Sequence, residues 1–287
     1  MKKNKSVSGG ITAHCLVKNE GRFIWYSVMS IIDYVNKILL WDTGSTDKTI
    51  DIIGEIVKNG QGKVDFREYG LIDANGFTKV RQEMLDKTDT DWFIVVDGDE
   101  IWWEDSIGKV IEVAESGKDE LESIVVPTIN LIGDIYNYQE EPAGQYHFGK
   151  RKGHYNLRLI NRKIPGLRSY GPHGTWGWVD GDNRMIQDRE EKSLFVNAPY
   201  LHATFLQRSL EFLKDRDVPK RARKLKYELG IPFPSDFYYP EVFFRERPAV
   251  VPSVWQKRGF KYLVRSAFET PPKKLKRRLP LKEKVGY

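Results

Sequence analysis

The stretch WFIVVDGDEIWW, Trp92–Trp103, sets three acids, Asp97, Asp99 and Glu100, within four positions directly after an apolar run. Carboxylates this close repel one another, and burying them without a counter-charge is costly. Oxygen ligands gathered around Gly98 suit a hard divalent cation. A cation held by one or two protein carboxylates keeps positions open for substrate phosphates. A second acid, Asp42, follows another apolar run in LLWDTGSTDKT. The bland alternatives are a solvated Asp-Gly-Asp turn and, for DTGSTDKT, a glycine turn with a helix N-cap at Ser45, Thr46 or Asp47. The N-cap reading leaves Asp42 unexplained. The pattern is not an EF-hand loop, whose later acids and glycine are absent. Two acids at strand ends of one parallel sheet, where open α/β sheets bind ligands, favour Mg2+ or Mn2+ with a diphosphate as the missing partner.

The elements that must position these acids alternate in period. ITAHCLV, NKILLW, KVDFREY and DWFIVV read as strands, and GRFIWYSVMSIIDYV, TDKTIDIIGEIV and GFTKVRQEMLDK as helices between them. A helix near Asp105–Ser116 and a strand in LESIVVPT follow. Alternating strands and helices imply right-handed crossovers, hence an α/β fold with a mostly parallel central sheet. Past Asn130 the alternation gives way to strands and long loops rich in Gly, Tyr, Trp and His, and RSLEFLKDRDVPKRARKLKYEL reads as a helix broken at Pro219. Five prolines from Pro232 to Pro252 predict an extended segment wrapped on the body. The chain then ends as a basic amphipathic helix and a charged tail. The expected organisation is a ligand-binding α/β half, 1–130, a loop-rich second half of the same domain, 131–205, and a C-terminal extension, 206–287.

Composition restricts the function classes. With 287 residues, 40% of them hydrophobic, the chain can build a sizeable core. The formal charge of +6 is not an average: residues 253–287 carry +9 and residues 1–252 carry −3. A nucleic-acid-binding body is thus disfavoured, while a basic end can touch something anionic. Cys15 has no second cysteine to pair with, and no apolar run is long enough to cross a membrane. A cytoplasmic protein, with a peripheral position on the inner membrane face as an option, is the expectation.

CLVKNEGRFIWYSVMSIIDYVNKILLWDTGSTDKTIDII resembles the opening of family 2 glycosyltransferases, in the branch with Lys-Asn-Glu after its first strand. VDGDE is similar to that family's DxD-type motif, and GFTKVRQEMLDKTDTDWFIVVDGDE to its segment with an arginine on the preceding helix. The likeness covers roughly residues 10–125. It implies the GT-A fold, a Rossmann-type sheet with helices on both faces. It also implies inverting transfer of a sugar from a nucleoside diphosphate, with UDP favoured, to a glycan or glycolipid-type acceptor. By resemblance Asp42 contacts the nucleobase, Arg81 lies near the donor, Asp97 faces the ribose and Asp99 binds the metal.

The second half resembles the family more loosely. LRLINRKIPGLRSYGPHGTW has His173-Gly174 where a His-Glu pair is expected, so the general base moves to His173, Asp180 or Asp182, with His173 and Asp180 put forward. YLHATF is similar to a segment whose histidine completes the metal site, which makes His202 a candidate ligand. His14 and Cys15 read as packed residues, and the basic turn FGKRKG between His147 and His154 as solvated. Of Trp102 and Trp103, one is expected to pack inward. Trp176 and Trp178 in GTWGW read as an exposed acceptor loop. The basic end reads as a solvated helix, as a membrane-surface helix with Trp255, Phe260, Leu263 and Phe268 on its apolar side, or as a partner-binding element. Two rivals remain: a nucleotidyltransferase, disfavoured because VKNEGRF lacks a Gly-rich triphosphate loop, and a non-catalytic carbohydrate- or nucleotide-binding module.

Overall fold

A computed structural model of the chain describes residues 9–116, 120–218 and 221–278. The first half alternates as expected: β1 (Ile11–Val17), α1 (Ile24–Ile31), β2 (Lys37–Asp42), α2 (Thr49–Asn59), β3 (Val64–Glu68), α3 (Ala74–Asp86) and β4 (Trp92–Val95). Then come β5 (Glu100–Trp102), α4 (Glu104–Glu115), β6 (Ser123–Ile132), β7 (Asp134–Tyr138), β8 (Tyr146–Phe148), β9 (Arg151–Gly153), β10 (Tyr155–Asn161), β11 (Arg168–Tyr170) and β12 (Gly177–Val179). β13 (Ser193–Phe195), β14 (Tyr200–His202), α5 (Arg221–Lys224), β15 (Ile231–Pro232) and α6 (Phe260–Arg278) complete the order.

The main sheet runs β15-β7-β6-β10-β4-β1-β2-β3, with β13 and β14 also paired to β6 and β5 paired to β14. Strands β3, β2, β1 and β4 are mutually parallel, and β10 enters antiparallel between β4 and β6. The fold is α/β around one mostly parallel sheet, as the alternation predicts, and that sheet continues across residue 130.

Period-2 alternation along each strand divides the core into layers. Ala13, Cys15, Ile38, Leu40 and Ile94 point to one face, where α1, α2 and α4 pack with Ile31, Ile53 and Ile107. Leu16, Leu39 and Trp41 point to the other and meet Val80 and Met84 of α3. Phe93 and Val95 share that second face with Trp178 of β12. His14 and Cys15 are packed residues as expected, His14 stacking on Phe93 at 4.5 Å.

Several expectations need correction. Trp178 is buried against Phe93 and His14 rather than exposed, because the β11–β12 hairpin closes that face of the sheet. Trp102 and Trp103 are both buried: one stacks on Tyr200, and the other donates its indole N–H to the Tyr238 carbonyl at 3.0 Å. The segment after Arg208 is not a broken long helix. It forms a 3-10 turn at Phe212–Asp217 and the single turn α5, where Arg221 pairs with Glu20 of the body and with Asp215 of the same segment. The proline-rich segment does wrap on the body, burying Tyr239, Val242 and Phe243.

The turn FGKRKG is the solvated tip of the β8–β9 hairpin, as expected, with His147 exposed. His154 is not part of that solvated turn. Its Nδ1 lies 2.9 Å from the Asn130 amide nitrogen and its Nε2 3.2 Å from the Glu140 carbonyl, a pattern that suits the neutral Nε2–H ring. Burial is the largest influence and lowers its pKa to about 4. A folded value below the ordinary one stabilises the fold above the unfolded pKa, and that contribution is lost as pH falls towards the folded one. His154 thus pulls the melting temperature down between about pH 6.5 and pH 4, against the raised carboxyls of the protein, and His154→Gln should remove that downward pull from the slope. An unchanged slope in the variant would show that His154 does not titrate in this window.

Candidate active site

The site lies at the carboxyl ends of β1, β2 and β4. Asp42 closes β2 and is buried. One of its oxygens accepts from the backbone N–H groups of Gly44 and Ser45, both at 2.8 Å, and the other accepts from the Ser45 hydroxyl. Gly44 adopts φ +87, a left-handed value that this tight Asp-initiated turn demands. The N-cap expectation shifts slightly. Position Lys48 precedes α2 without a side-chain cap, while the Asp47 carboxylate accepts from the Thr49 N–H at 3.0 Å.

The Lys-Asn-Glu turn after β1 fastens to this loop. Asn19 receives the Thr46 N–H at 2.7 Å on its side-chain oxygen, and its own N–H donates to Ser45 Oγ at 2.7 Å. The Glu20 N–H donates to Thr49 Oγ1 at 2.8 Å. The two motifs therefore hold one another, and Glu20 is carried onto the acidic turn after β4. There a Cβ on Gly98 would sit 2.7 Å from Glu20 Cγ. Gly98 is required by this close approach within the turn after β4.

Asp97 is partly open, with 38% of its side chain exposed, while Asp99 and Glu100 are 0% exposed. Their counter-charges come from four separate elements. Arg81 of α3 donates to Asp97 at 3.4 Å. Arg158 of β10 pairs with Glu100 and reaches Asp97 at 3.6 Å, and its Nε donates to the Tyr200 hydroxyl at 3.1 Å. Arg208 lies 2.8 Å from Asp99 Oδ2 and 3.3 Å from Glu20. Arg221 of α5 pairs with Glu20 and donates to the Asn19 carbonyl. Thus resident arginines, not only an added cation, answer the clustered acids.

The electrostatic balance differs from acid to acid. Burial works to raise Asp99, but Arg208 and His202 outweigh it and hold the carboxyl well below the usual range. Burial dominates at Glu100, and together with Asp97 and Asp99 it prevails over Arg158, so this carboxyl is pushed up to about 8. Glu20 rises to about 7 because burial exceeds the pull of Arg208 and Arg221.

His202 belongs to β14, which pairs with β5 so that His202 stands opposite Glu100. Its Nε2 is 3.4 Å from Asp99 Oδ2, and burial lowers its pKa, favouring the neutral ring that ligates metals. Neither oxygen of Asp99 makes a hydrogen bond of good geometry, Arg208 included, and both are buried. An ionised carboxylate with both oxygens unsatisfied beside a neutral imidazole fits a divalent cation. Among the described residues no cluster of three acidic, His or Cys side chains could hold a metal, so two protein ligands would leave the other positions to diphosphate and water. Arg81 also has unsatisfied donors: its Nε and one terminal nitrogen are buried without a hydrogen-bond partner, under a cage made by Phe77 at 5.3 Å and Trp176 at 5.1 Å.

The two expected proton acceptors fare differently. Asp180, expected as a base, fastens its own loop. One oxygen accepts from the N–H groups of Asp182 and Arg184 at 2.9 Å, and the other is engaged by Arg189. Burial works to raise its pKa, but those two backbone N–H groups and Arg189 hold it below the usual range, which suits a structural carboxylate and not a base. Asp182 is exposed on the same loop. His173 is half-buried, its ring 4.9 Å from Phe77, which puts it beside the Arg81 cage. Gly174 carries no carboxylate at the position where the resemblance places one.

Glu20 and Arg158 sat within stretches already singled out in the sequence, but nothing local gave them a role. Arg208 and Arg221 had no sequence signal, since only the fold carries residues this remote onto Asp99 and Glu20. A cavity of about 490 Å³ lies away from these carboxylates. It lies behind the segment Phe205–Gln207 and is lined by Arg22, Lys257, Arg258, Lys261 and Arg265 among others.

Comparison with known proteins sets this geometry in context. Residues 15–208 match the glycosyl transferase family 2 domain. Glycosyltransferase SunS, found both as the SPbeta prophage-derived protein of Bacillus subtilis (strain 168) and in Bacillus phage SPbeta, is 29% identical over 113 residues. That match covers 38% of this chain and 25% of each relative, so the match spans about a quarter of their length. Among solved structures, glucosyl-3-phosphoglycerate synthase from Mycobacterium tuberculosis in complex with Mg2+ and uridine-diphosphate aligns with TM-score 0.42 and 17% identity, over 68% of this chain and 72% of that one. S. aureus TarS aligns with TM-score 0.44 and 14% identity, over 75% of this chain and 43% of that one.

Proposed function

The chain belongs to glycosyl transferase family 2, and from that premise we propose that it moves a sugar from a nucleoside-diphosphate sugar to a hydroxyl of a glycan or glycolipid-type acceptor, with inversion. The observation that carries the reading is Asp99, wholly buried 3.4 Å from the His202 Nε2, with neither oxygen in a hydrogen bond of good geometry, at the mouth of the parallel sheet. Mn2+ or Mg2+ would be held by Asp99 and His202, and when bound supplies positive charge to the departing diphosphate.

The chain's own groups perform the remaining work. Asp42 and Asp97 orient the nucleoside, with the base on the Asp42 side. Arg81, which reaches Asp97, lies near the donor, where its charge stabilises charge that grows on the leaving diphosphate. His173 accepts the acceptor's hydroxyl proton as that oxygen attacks the anomeric carbon. The bond from that carbon to the diphosphate breaks, and its electron pair leaves with the diphosphate oxygen. One observation favours a second reading, a non-catalytic nucleotide-sugar module: Gly174 stands where a carboxylate is expected.

A melting panel of nucleoside-diphosphate sugars with and without Mn2+ tests the first reading. A ligand at 100-fold its dissociation constant adds about 2.7 kcal/mol. We expect a UDP-sugar to raise the melting temperature chiefly when Mn2+ is present; no shift with any nucleotide would end the proposal. Turnover of the same sugar separates enzyme from module. Asp42→Ala should weaken metal-free nucleotide binding about ten-fold, the loss of one well-placed polar contact. Unchanged affinity would leave Asp42 as a turn residue alone.

A further inference from the structure

Helix α6 is docked the wrong way round for a helix on a folded protein. An amphipathic helix ordinarily turns its apolar face to the core and its polar face to water. Here the inward face is polar. Ser266 and Thr270 are buried, Thr270 Oγ1 accepts the Leu229 N–H at 2.9 Å, Lys273 donates to the Tyr227 carbonyl at 2.9 Å, and Arg277 grips Glu228 at 2.7 Å. The outward face carries Phe260, Val264, Phe268 and Leu275, exposed by 78%, 41%, 78% and 63%. These positions recur at helical spacing and form one stripe. Lys261, Arg265 and Lys276 flank it on one side, and Lys274 and Arg278 on the other.

We infer that the outer face of α6 is a membrane-docking surface that lies on an anionic bilayer, with the phenylalanines among the acyl chains and the flanking cations at the headgroups. Charge complementarity selects this occupant. A second copy would bring the same cations against themselves, and a soluble polyanion gives no reason to expose two phenylalanines. Basic residues on both sides of an apolar stripe match the interface of an anionic leaflet. Among the described residues no helix is long and apolar enough to cross a membrane, so the contact is parallel to the surface.

The structure also changes which side chains take part. Trp255, expected on the apolar side, packs against Tyr239 at 5.1 Å and Phe244 at 5.5 Å and belongs to the body. Leu263 lies at the flank of the stripe, and Val264 and Leu275 replace it. Residues 279–287, the expected charged tail, lie outside the described residues. The cavity lined by Lys257, Arg258 and Lys261 sits at the N-terminal end of α6. None of this depends on the donor site.

Cosedimentation of the full chain with vesicles tests the inference. We expect binding to phosphatidylglycerol–phosphatidylcholine vesicles and little to phosphatidylcholine alone. Phe260→Ser with Phe268→Ser should weaken binding about ten-fold, as should Lys261→Glu with Lys276→Glu, with the melting temperature unchanged in both. No binding of the unmodified chain to anionic vesicles, or undiminished binding of the phenylalanine variant, would overturn it. So would a dimer in sedimentation velocity that Phe268→Ser disperses while vesicle binding persists.

Discussion

Asp99→Asn should abolish Mn2+ binding and lower turnover about 10³-fold, a loss of roughly 4 kcal/mol of transition-state stabilisation. The substitution keeps the shape of the side chain and removes its charge. Asp99 is 0% exposed and lies 3.4 Å from His202, and its oxygens make no hydrogen bond of good geometry, so the variant loses a cation and the charge pairing with Arg208. Arg208, 2.8 Å from the same oxygen, retains Glu20 at 3.3 Å as its acid, which limits the damage to the fold. Titration calorimetry with Mn2+ checks the claim without reference to turnover. If the variant binds Mn2+ as tightly as the unmodified chain, the metal reading fails. Arg208 would then be the charge that meets the diphosphate.

The second large effect concerns the fold. At about pH 9, above the raised pKa of Glu100, Arg158→Met should destabilise the protein by about 3–5 kcal/mol, the usual result of stranding one member of a buried ion pair. Glu100 is 0% exposed and pairs with Arg158; with Met in its place, Glu100 keeps the Tyr200 hydroxyl at 3.0 Å but no longer has its counter-ion. Against a typical total of about 5–15 kcal/mol, that loss is a large fraction. Adding Glu100→Gln removes the stranded charge and should restore part of the stability, because Gln can still be served by Tyr200. Urea unfolding measures both, read as midpoint shifts at constant slope. If Arg158→Met costs no more than an ordinary surface change, Glu100 is already protonated and the arginine is not its counter-ion. The raised pKa of Glu100, about 8, makes the penalty pH-dependent. Below about pH 8 the acid is already protonated, so the variant should approach the unmodified chain at neutral pH and below.

The local signals of the sequence reached far in the first half. Apolar runs ending at Asp42 and before Asp97 located two strand ends, and the helices between them forced those ends to one edge of a parallel sheet. That much follows from periodicity and crossover handedness, which act within tens of residues. The Lys-Asn-Glu and DTGSTD stretches were legible as motifs, but their mutual hydrogen bonds, Asn19 to Ser45 and Thr46, were not.

What tertiary structure alone decided is the charge compensation. Arg158, Arg208 and Arg221 are ordinary arginines in the sequence, and each becomes a counter-ion because strand pairing or the wrapped C-terminal segment brings it to an acid from about 60 to 200 positions away. Asp180 shows the converse. Its residue type and position suited a base, yet three neighbours in its own loop consume both oxygens. Trp178 likewise looked exposed among glycines until the hairpin folded it onto Phe93. Composition and periodicity report which residues prefer burial. They carry no information on which charge meets which, because electrostatic pairing depends on distances that only the assembled sheet sets.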